Sequence, residues 1–226
     1  LGAWVFLREA NMKRRNFLNC GMAALVGISL SFSDESFANG LFARKSRPFC
    51  TVRNDLIPNA AFGRVKWGRE HIRYYMAGRD TADMQAEVWD EEFNLAFKSW
   101  ENVTPLTFEQ VGEKDVYDIV ITVSNRRREG FGKAGRVLAW AQLPPTKNFD
   151  GTLLSKFDMA ENWILPVEAI TEYGTILRSV AAHEIGHLLG LDHSSDPDAL
   201  MYPYVNDALE PREDDTKKIQ RLYGKP

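Results

Sequence analysis

Residues 180–194 read VAAHEIGHLLGLDHS and carry three of the four histidines in a chain of 226 residues. No other stretch limits the fold as tightly. His183 and His187 stand four apart, which on an α-helix puts both imidazoles on one face, one turn from each other. Two side chains so placed reach one metal ion. Glu184 follows the first histidine and lies where it can contact a metal-bound water without ligating the metal. Gly190 ends the helix, because glycine accepts the left-handed conformation that a sharp reversal needs. The reversed chain brings His193 back as a third ligand. Three protein ligands with a fourth position open describe a catalytic zinc rather than a structural one. The competing reading is a buried helix that happens to carry imidazoles. The full HExxHxxGxxH spacing, with a methionine following in DALMYPYV, argues against it.

The N-terminus follows the grammar of an export signal. From Met12, basic Lys13, Arg14 and Arg15 precede an apolar run from Cys20 to Phe32 and a small-residue site ending at Ala38. That run is too short to span a bilayer as a permanent helix, so no stable membrane anchor is expected after cleavage. RRNFL resembles a twin-arginine signal, the alternative being an ordinary secretory signal. The expected division is upstream residues and export signal over 1–38, a leader over 39–62, and one folded domain over 63–226, in an exported protein of the periplasm or the cell exterior. Cleavage after Ala38 would remove Cys20 and leave Cys50 alone, with no internal disulfide. The net charge is −3, and no basic stripe with interleaved aromatics appears, which excludes a nucleic-acid partner. A monomer is expected.

Along the domain, HIRYYMA (71–77), PLTFEQV (105–111), YDIVITVS (117–124), RVLAWAQL (136–143) and LLSKFDMA (153–160) read as strands, by β-branched and aromatic content and by length. TADMQAEVWDEEFNLAFKSWENV (81–103) reads as an amphipathic helix capped by Thr81, with Val88, Phe93, Ala96, Phe97 and Trp100 near helical spacing. TILRSVAAHEIGHLLG is a helix closed by Gly190, and EDDTKKIQRLYG a terminal helix closed by Gly224. Residues 125–135 form a loop. The class is α+β, a mixed sheet with a few long helices.

HEIGHLLGLDH with Met201 resembles the metzincin metallopeptidases, whose methionine turn lies under the zinc. Ser194, directly after the third histidine, resembles the matrixin branch. AFKSWENVTPLTFEQV, RVLAWA, SSDPDALMYPYV and DDTKKIQRLYG are similar to matrixin segments, so the resemblance runs from about Lys66 to Gly224. It implies a zincin-like α+β catalytic domain with a twisted mixed sheet, a long active-site helix and a Met-turn at Met201. It also implies a zinc-dependent endopeptidase acting on peptide or protein substrates. Zinc would acidify its water, and Glu184 would serve as general base and then carry the proton to the leaving amine. The substrate would pair as an added strand with the VLAWA edge, through main-chain groups of Leu138 and Ala139. Pro203 and Tyr204 or Val205 would wall a pocket. Ser179 stands where the family limits that pocket's depth, and a small residue there implies a deep pocket, unless it is a plain helix residue. The runner-up reading, an inactive metzincin-like peptide-binding module, is disfavoured by the intact Glu184.

RKSRPFCTVRND (44–55) resembles the cysteine-switch segment of matrixin leaders, in which a thiolate fills the open zinc position until proteolysis. Phe49, Thr51 and Arg53–Asn54 depart from the family pattern. Cys50 is therefore a candidate latency ligand, with Asp55 as a rival ligand and an inert thiol as the other alternative. Asp214 resembles the residue that meets the new N-terminus in mature family members; the alternative is that Asp214 and Asp215 simply favour a helix N-terminus. Other departures concern metals. Family members carry a second, structural zinc, but the 125–135 loop here has no histidine, and Trp140 and Lys156 stand at family histidine positions. One catalytic zinc is expected. Asp158 and Glu161 match carboxylates that the family uses for calcium; the competing reading pairs them with Arg126–Arg128.

Overall fold

The computed structural model describes residues 48–52, 65–79, 84–124, 131, 135–170 and 173–226. The export-signal stretch, most of the leader, Thr81 and Arg126–Arg128 lie outside them.

Alternation of buried and half-buried residues builds a six-stranded sheet. Its strands are β1 (Phe49–Val52), β2 (His71–Ala77), β3 (Thr107–Gln110), β4 (Ile119–Ser124), β5 (Val137–Ala141) and β6 (Leu153–Asp158). Their spatial order is β1-β5-β6-β4-β2-β3. Only the β5–β6 pair is antiparallel. β2 is the 71–77 strand as read from sequence. β3 to β6 are shorter than read, because flanking residues such as Pro105 and Tyr117 find no ladder partner, and β1 is not among the strands read from sequence.

Helix α1 (Ala86–Glu101) packs beside helix α2 (Leu177–Leu188). α1 begins later than expected: Gln85 is its N-cap, in an extended conformation and without a side-chain cap. Its buried stripe is Trp89, Phe93, Ala96, Phe97 and Trp100, so Trp89 takes the place expected of Val88, which is only partly buried. The indole is the larger apolar surface, and the helix turns to bury it. Trp89 meets Phe157 of β6 edge-on at 6.1 Å, fastening helix to sheet.

Two indoles fix the position of α2. Trp100 donates to the Ala182 carbonyl at 2.9 Å, and Trp67 to the Leu188 carbonyl at 2.8 Å. Both rings are fully buried, so truncating either to alanine would cost about 3–5 kcal/mol. At its start, α2 gives up Thr175 and Ile176 to a short strand, β8, which pairs in parallel with β7 (Trp163–Ile164). Arg178 then forms a two-pronged ion pair with the buried Glu92 of α1, at 2.8 and 2.9 Å. Helix α3 (Glu213–Tyr223) closes the chain, and Gly224 with φ 95° forms its C-cap as read.

Candidate active site

α2 ends where it must if a third histidine is to return. Gly190 adopts φ 100°, and a Cβ there would collide with the Val65 carbonyl. Gly190 N donates to His187 O at 2.8 Å and Leu191 N to Gly186 O at 2.9 Å, the two bonds that close a helix through a left-handed residue. The turn carries its own second use. The Leu191 carbonyl lies 2.7 Å from His187 Nδ1, and the Leu200 carbonyl lies 2.7 Å from His183 Nδ1. A carbonyl only accepts, so Nδ1 of each ring carries the proton and Nε2 keeps its lone pair.

Those lone pairs converge. His187 Nε2 and His193 Nε2 are 3.2 Å apart, and ligand nitrogens of all three histidines lie within 4.8 Å of one another. A tetrahedral zinc with bonds of about 2.0–2.1 Å sets its ligand nitrogens ~3.3 Å apart. His183 Nε2 is buried and finds no hydrogen-bond donor or acceptor. Lone pairs facing one another in a dry site are repulsive unless a cation lies between them, so the residues fit the metal that the spacing implies. Burial pushes the His183 pKa down to about 4 and that of His187 well below the usual value; His193 is lowered too, also by burial. All three rings are therefore neutral, as metal ligands must be.

Glu184 points into the same space. Both carboxylate oxygens are buried, with no N–H or O–H partner. Burial raises its pKa to about 8, against a small opposing contribution from the Cys50 thiol beside it. A carboxyl held near neutrality is suited to take up and give back a proton.

Beneath the histidines lies Met201, fully buried. Its sulfur sits so close under α2 that a Cβ at Gly186 would collide with it, and would lie 2.9 Å from the Trp100 ring. Gly186, between the two helical histidines, was not singled out from sequence, although its place inside a helix was a signal. Asp215 was also missed as a functional position. Its side chain is fully buried and accepts Leu200 N at 2.7 Å, Met201 N at 3.1 Å and Arg212 N at 2.9 Å. One carboxylate thus holds the methionine turn and starts α3. Its position three residues after the N-cap was the available clue. Asp214 accepts Ser194 Oγ at 2.6 Å and pairs with Lys218 at 2.7 Å.

Strand β1 lies over the centre. It runs parallel to β5, with Phe49 opposite Val137 and Thr51 opposite Trp140, and forms an antiparallel bridge from Phe49 to Tyr204. Cys50 N donates to Pro203 O at 3.2 Å, and Val205 N to Pro48 O at 3.3 Å. The β5 edge around Leu138 and Ala139 therefore flanks one side of an extended peptide, and Pro203–Val205 the other. The Leu138 and Ala139 side chains are wholly buried, which leaves main-chain groups to face the cleft. Cys50 is buried, and its sulfur, a ring nitrogen of His183 and a Glu184 oxygen all lie within 4.8 Å of one another. Burial raises the thiol's pKa, and the Glu184 carboxylate raises it further. Ser179 lines a small cavity beside His183, facing Tyr204 and Val205.

The remaining predicted positions lie elsewhere. Asp158 and Glu161 are buried and accept the Ala160 and Gly135 amides. Burial raises both pKa values, and among the described residues no cation pairs with either. Trp140 and Lys156 face each other across β5 and β6, with the ammonium 5.8 Å from the ring centroid. His71 is exposed, bonded to Thr107 and Glu109.

A sheet edge facing a helix that carries paired histidines, with a methionine turn below, is metzincin architecture. A model of the matrixin family matches residues 66–224, and the chain belongs to that family, whose members are zinc metalloendopeptidases. Among known proteins it is similar to Stromelysin-1 of Equus caballus, 38% identical over 172 residues, which are 73% of this chain and 34% of the relative. Stromelysin-1 of Rattus norvegicus is 39% identical over 173 residues, again 73% and 34%. Stromelysin-2 of Rattus norvegicus is 38% identical over 170 residues, 72% and 34%. The chain thus spans about a third of the length of the relatives it matches.

Proposed function

We propose that this chain is an exported zinc-dependent endopeptidase, made with a leader that keeps it latent. The observation that carries the reading is the convergence of proton-free imidazole nitrogens, 3.2 Å apart at His187 and His193, beside a buried Glu184 with no hydrogen-bond donor of its own. His183, His187 and His193 hold one zinc. When bound, the ion lowers the pKa of a water and polarises the substrate carbonyl. Glu184 removes a proton from the attacking water and delivers it to the departing amine nitrogen. The β5 edge and the Pro203–Val205 segment align the peptide through main-chain groups, which suits many sequences. Met201 supports the imidazoles from below without ligating the metal.

Cys50 blocks that chemistry. Its strand occupies the peptide's place, and its sulfur lies within 4.8 Å of a His183 ring nitrogen and a Glu184 oxygen, where a thiolate would serve as fourth ligand. The division of labour is an export signal over 1–38, a leader over 39–62 and a catalytic domain over 63–226. Basic Lys13–Arg15 ahead of the apolar run support the export assignment.

The test sets the full chain, trimmed of its leader after folding, beside its Glu184→Ala variant on a mixed peptide library. Zinc analysis accompanies the assay. About one zinc per chain is expected in both, with chelator-sensitive cleavage only in the parent. Absence of cleavage by either protein would leave a peptide-binding module, and two tightly held zincs would break the single-site assignment.

A further inference from the structure

A helix leaves its last carbonyls without partners of its own, and α2 ends in the turn that returns His193. At that end each acceptor has a donor. Ile185 O takes Leu189 N at 2.9 Å, and the Gly190 reversal supplies Leu191 N to Gly186 O and Gly190 N to His187 O. The next two carbonyls are met by side chains. Leu188 O takes the Trp67 indole Nε1–H at 2.8 Å, and Leu189 O takes the Tyr223 hydroxyl at 2.8 Å.

The two side chains arrive as a unit. Tyr223 Oη also accepts Trp67 N at 3.0 Å, so one hydroxyl donates to the turn and accepts from the residue that holds the neighbouring carbonyl. Burial raises the Tyr223 pKa, which keeps the proton on that hydroxyl. Lys66 fastens the pair: its Nζ donates to Leu222 O at 2.9 Å and stands 5.4 Å from the centroid of the Tyr223 ring. Residues ahead of β2 and the end of α3 thus meet on one turn. That turn holds Leu191 O 2.7 Å from His187 Nδ1, and two residues further on the chain reaches His193. His183 has separate support, because its acceptor is the Leu200 carbonyl, in the segment that Asp215 anchors.

We propose that Tyr223, acting with Trp67, is a positioning residue of the metal centre, one that touches neither metal nor substrate and fixes His187 and His193 through the Gly190 turn. The proposal rests on the zinc-endopeptidase reading. A buried carbonyl stripped of its donor turns toward water or another donor, and the turn rotates with it. Leu191 O then leaves His187, and the two ring nitrogens lose the 3.2 Å convergence that a shared ion requires. His183 keeps its own acceptor.

The experiment uses the full, uncut chain. Tyr223→Phe keeps the ring and removes the hydroxyl; Trp67→Phe removes the indole N–H and is the second variant. Ser155→Ala removes another buried hydroxyl that donates to a carbonyl, that of Trp140 at 3.1 Å, and controls for a bond lost away from the turn. Zinc affinity is measured by competition with a chromophoric chelator, well below the Tm of each chain. Tyr223→Phe and Trp67→Phe should each weaken zinc binding about tenfold, the low end for partners of metal ligands, and Ser155→Ala less than about twofold. In the zinc-loaded Tyr223→Phe chain, nitrogen NMR should show the His187 Nδ1–H exchanging faster than in the parent, and that of His183 at the parent's rate. Unchanged affinity in both variants, an equal loss in Ser155→Ala, or equal quickening of both ring protons overturns the proposal. So does a failure of both variants to fold without metal, which would make the two residues part of the core alone. A parent that binds no zinc rejects the zinc reading itself, whereas a parent that binds zinc beside unchanged variants rejects only the positioning role.

Discussion

The histidine centre is enclosed from two sides, and the two sides are held in different ways. Below it, the Leu200–Met201 turn hangs on one fully buried carboxylate, Asp215, which takes three backbone amides. The Met201 sulfur is wedged under Gly186. Above it, β1 contributes four residues, three of them only half-buried, joined to their neighbours by main-chain bonds and by an edge contact of Phe49 on Tyr204 with centroids at 6.5 Å. Main-chain bonds of that kind are re-formed by any extended peptide or by water. Amides buried over a lost carboxylate have no such substitute. On the proposed function, the lower layer stays and the upper one leaves.

That contrast predicts its largest effect at Asp215. Asp215→Ala strands three amides, two of them under the metal centre, at about 1–3 kcal/mol each. A loss of at least ~3 kcal/mol is expected, read as a fall in Tm of about 6–12 °C, with weaker zinc retention. A variant that melts with the parent would show that the lower layer has another anchor.

Glu184, where the two layers meet, gives the next effect. In the uncut, metal-free chain its pKa stands near 8 against an ordinary 4.5. The folded state therefore binds the extra proton between those values, and stability present below pH 4.5 is lost as pH rises through 8. Glu184→Gln cannot ionise. Its Tm should match the parent at pH 4.5 and exceed it increasingly up to pH 8, because the histidine contributions are the same in both chains. A gap that stays constant with pH would mean that water reaches the carboxylate from the leader side.

The smallest change is structural and the readout is activity. Cys50→Ser in the uncut chain should raise peptide cleavage about tenfold, a shift of ~1.4 kcal/mol, while Tm moves little. If instead it destabilises the fold as much as Asp215→Ala does, the leader belongs to the core and the contrast fails. If the uncut parent is already fully active, the leader does not block the site.

Much of the lower half was legible because its information is local. Histidine spacing, the Gly190 reversal and the following methionine are short-range marks of a helix, a turn and a support. α1 shows the limit of the same method. Periodicity chose Val88, but only the sheet could show that Trp89 had Phe157 to pack against. Asp215 escaped for a related reason. It is an ordinary polar residue whose partners in the methionine turn lie 14 and 15 positions away, and no pattern of hydrophobicity announces a hydrogen bond across the chain. Ser179 shows the same limit: its size suggests space, and only the structure shows that its hydroxyl donates to the Asn206 carbonyl.

The Trp140–Lys156 pair bears on how the molecule weathers scarcity of metal. Between His71 and His183 the sequence contains no histidine, and the stretch from His71 to His183 carries five of the six strands of the larger sheet. At the point where two of those strands meet, an indole and an ammonium face each other, an attraction that draws on no ion from the surroundings. The sheet is thus held by contacts that need no histidine-bound metal. A molecule stripped of its zinc should keep its shape, wait, and be recharged, an idle tool rather than a broken one.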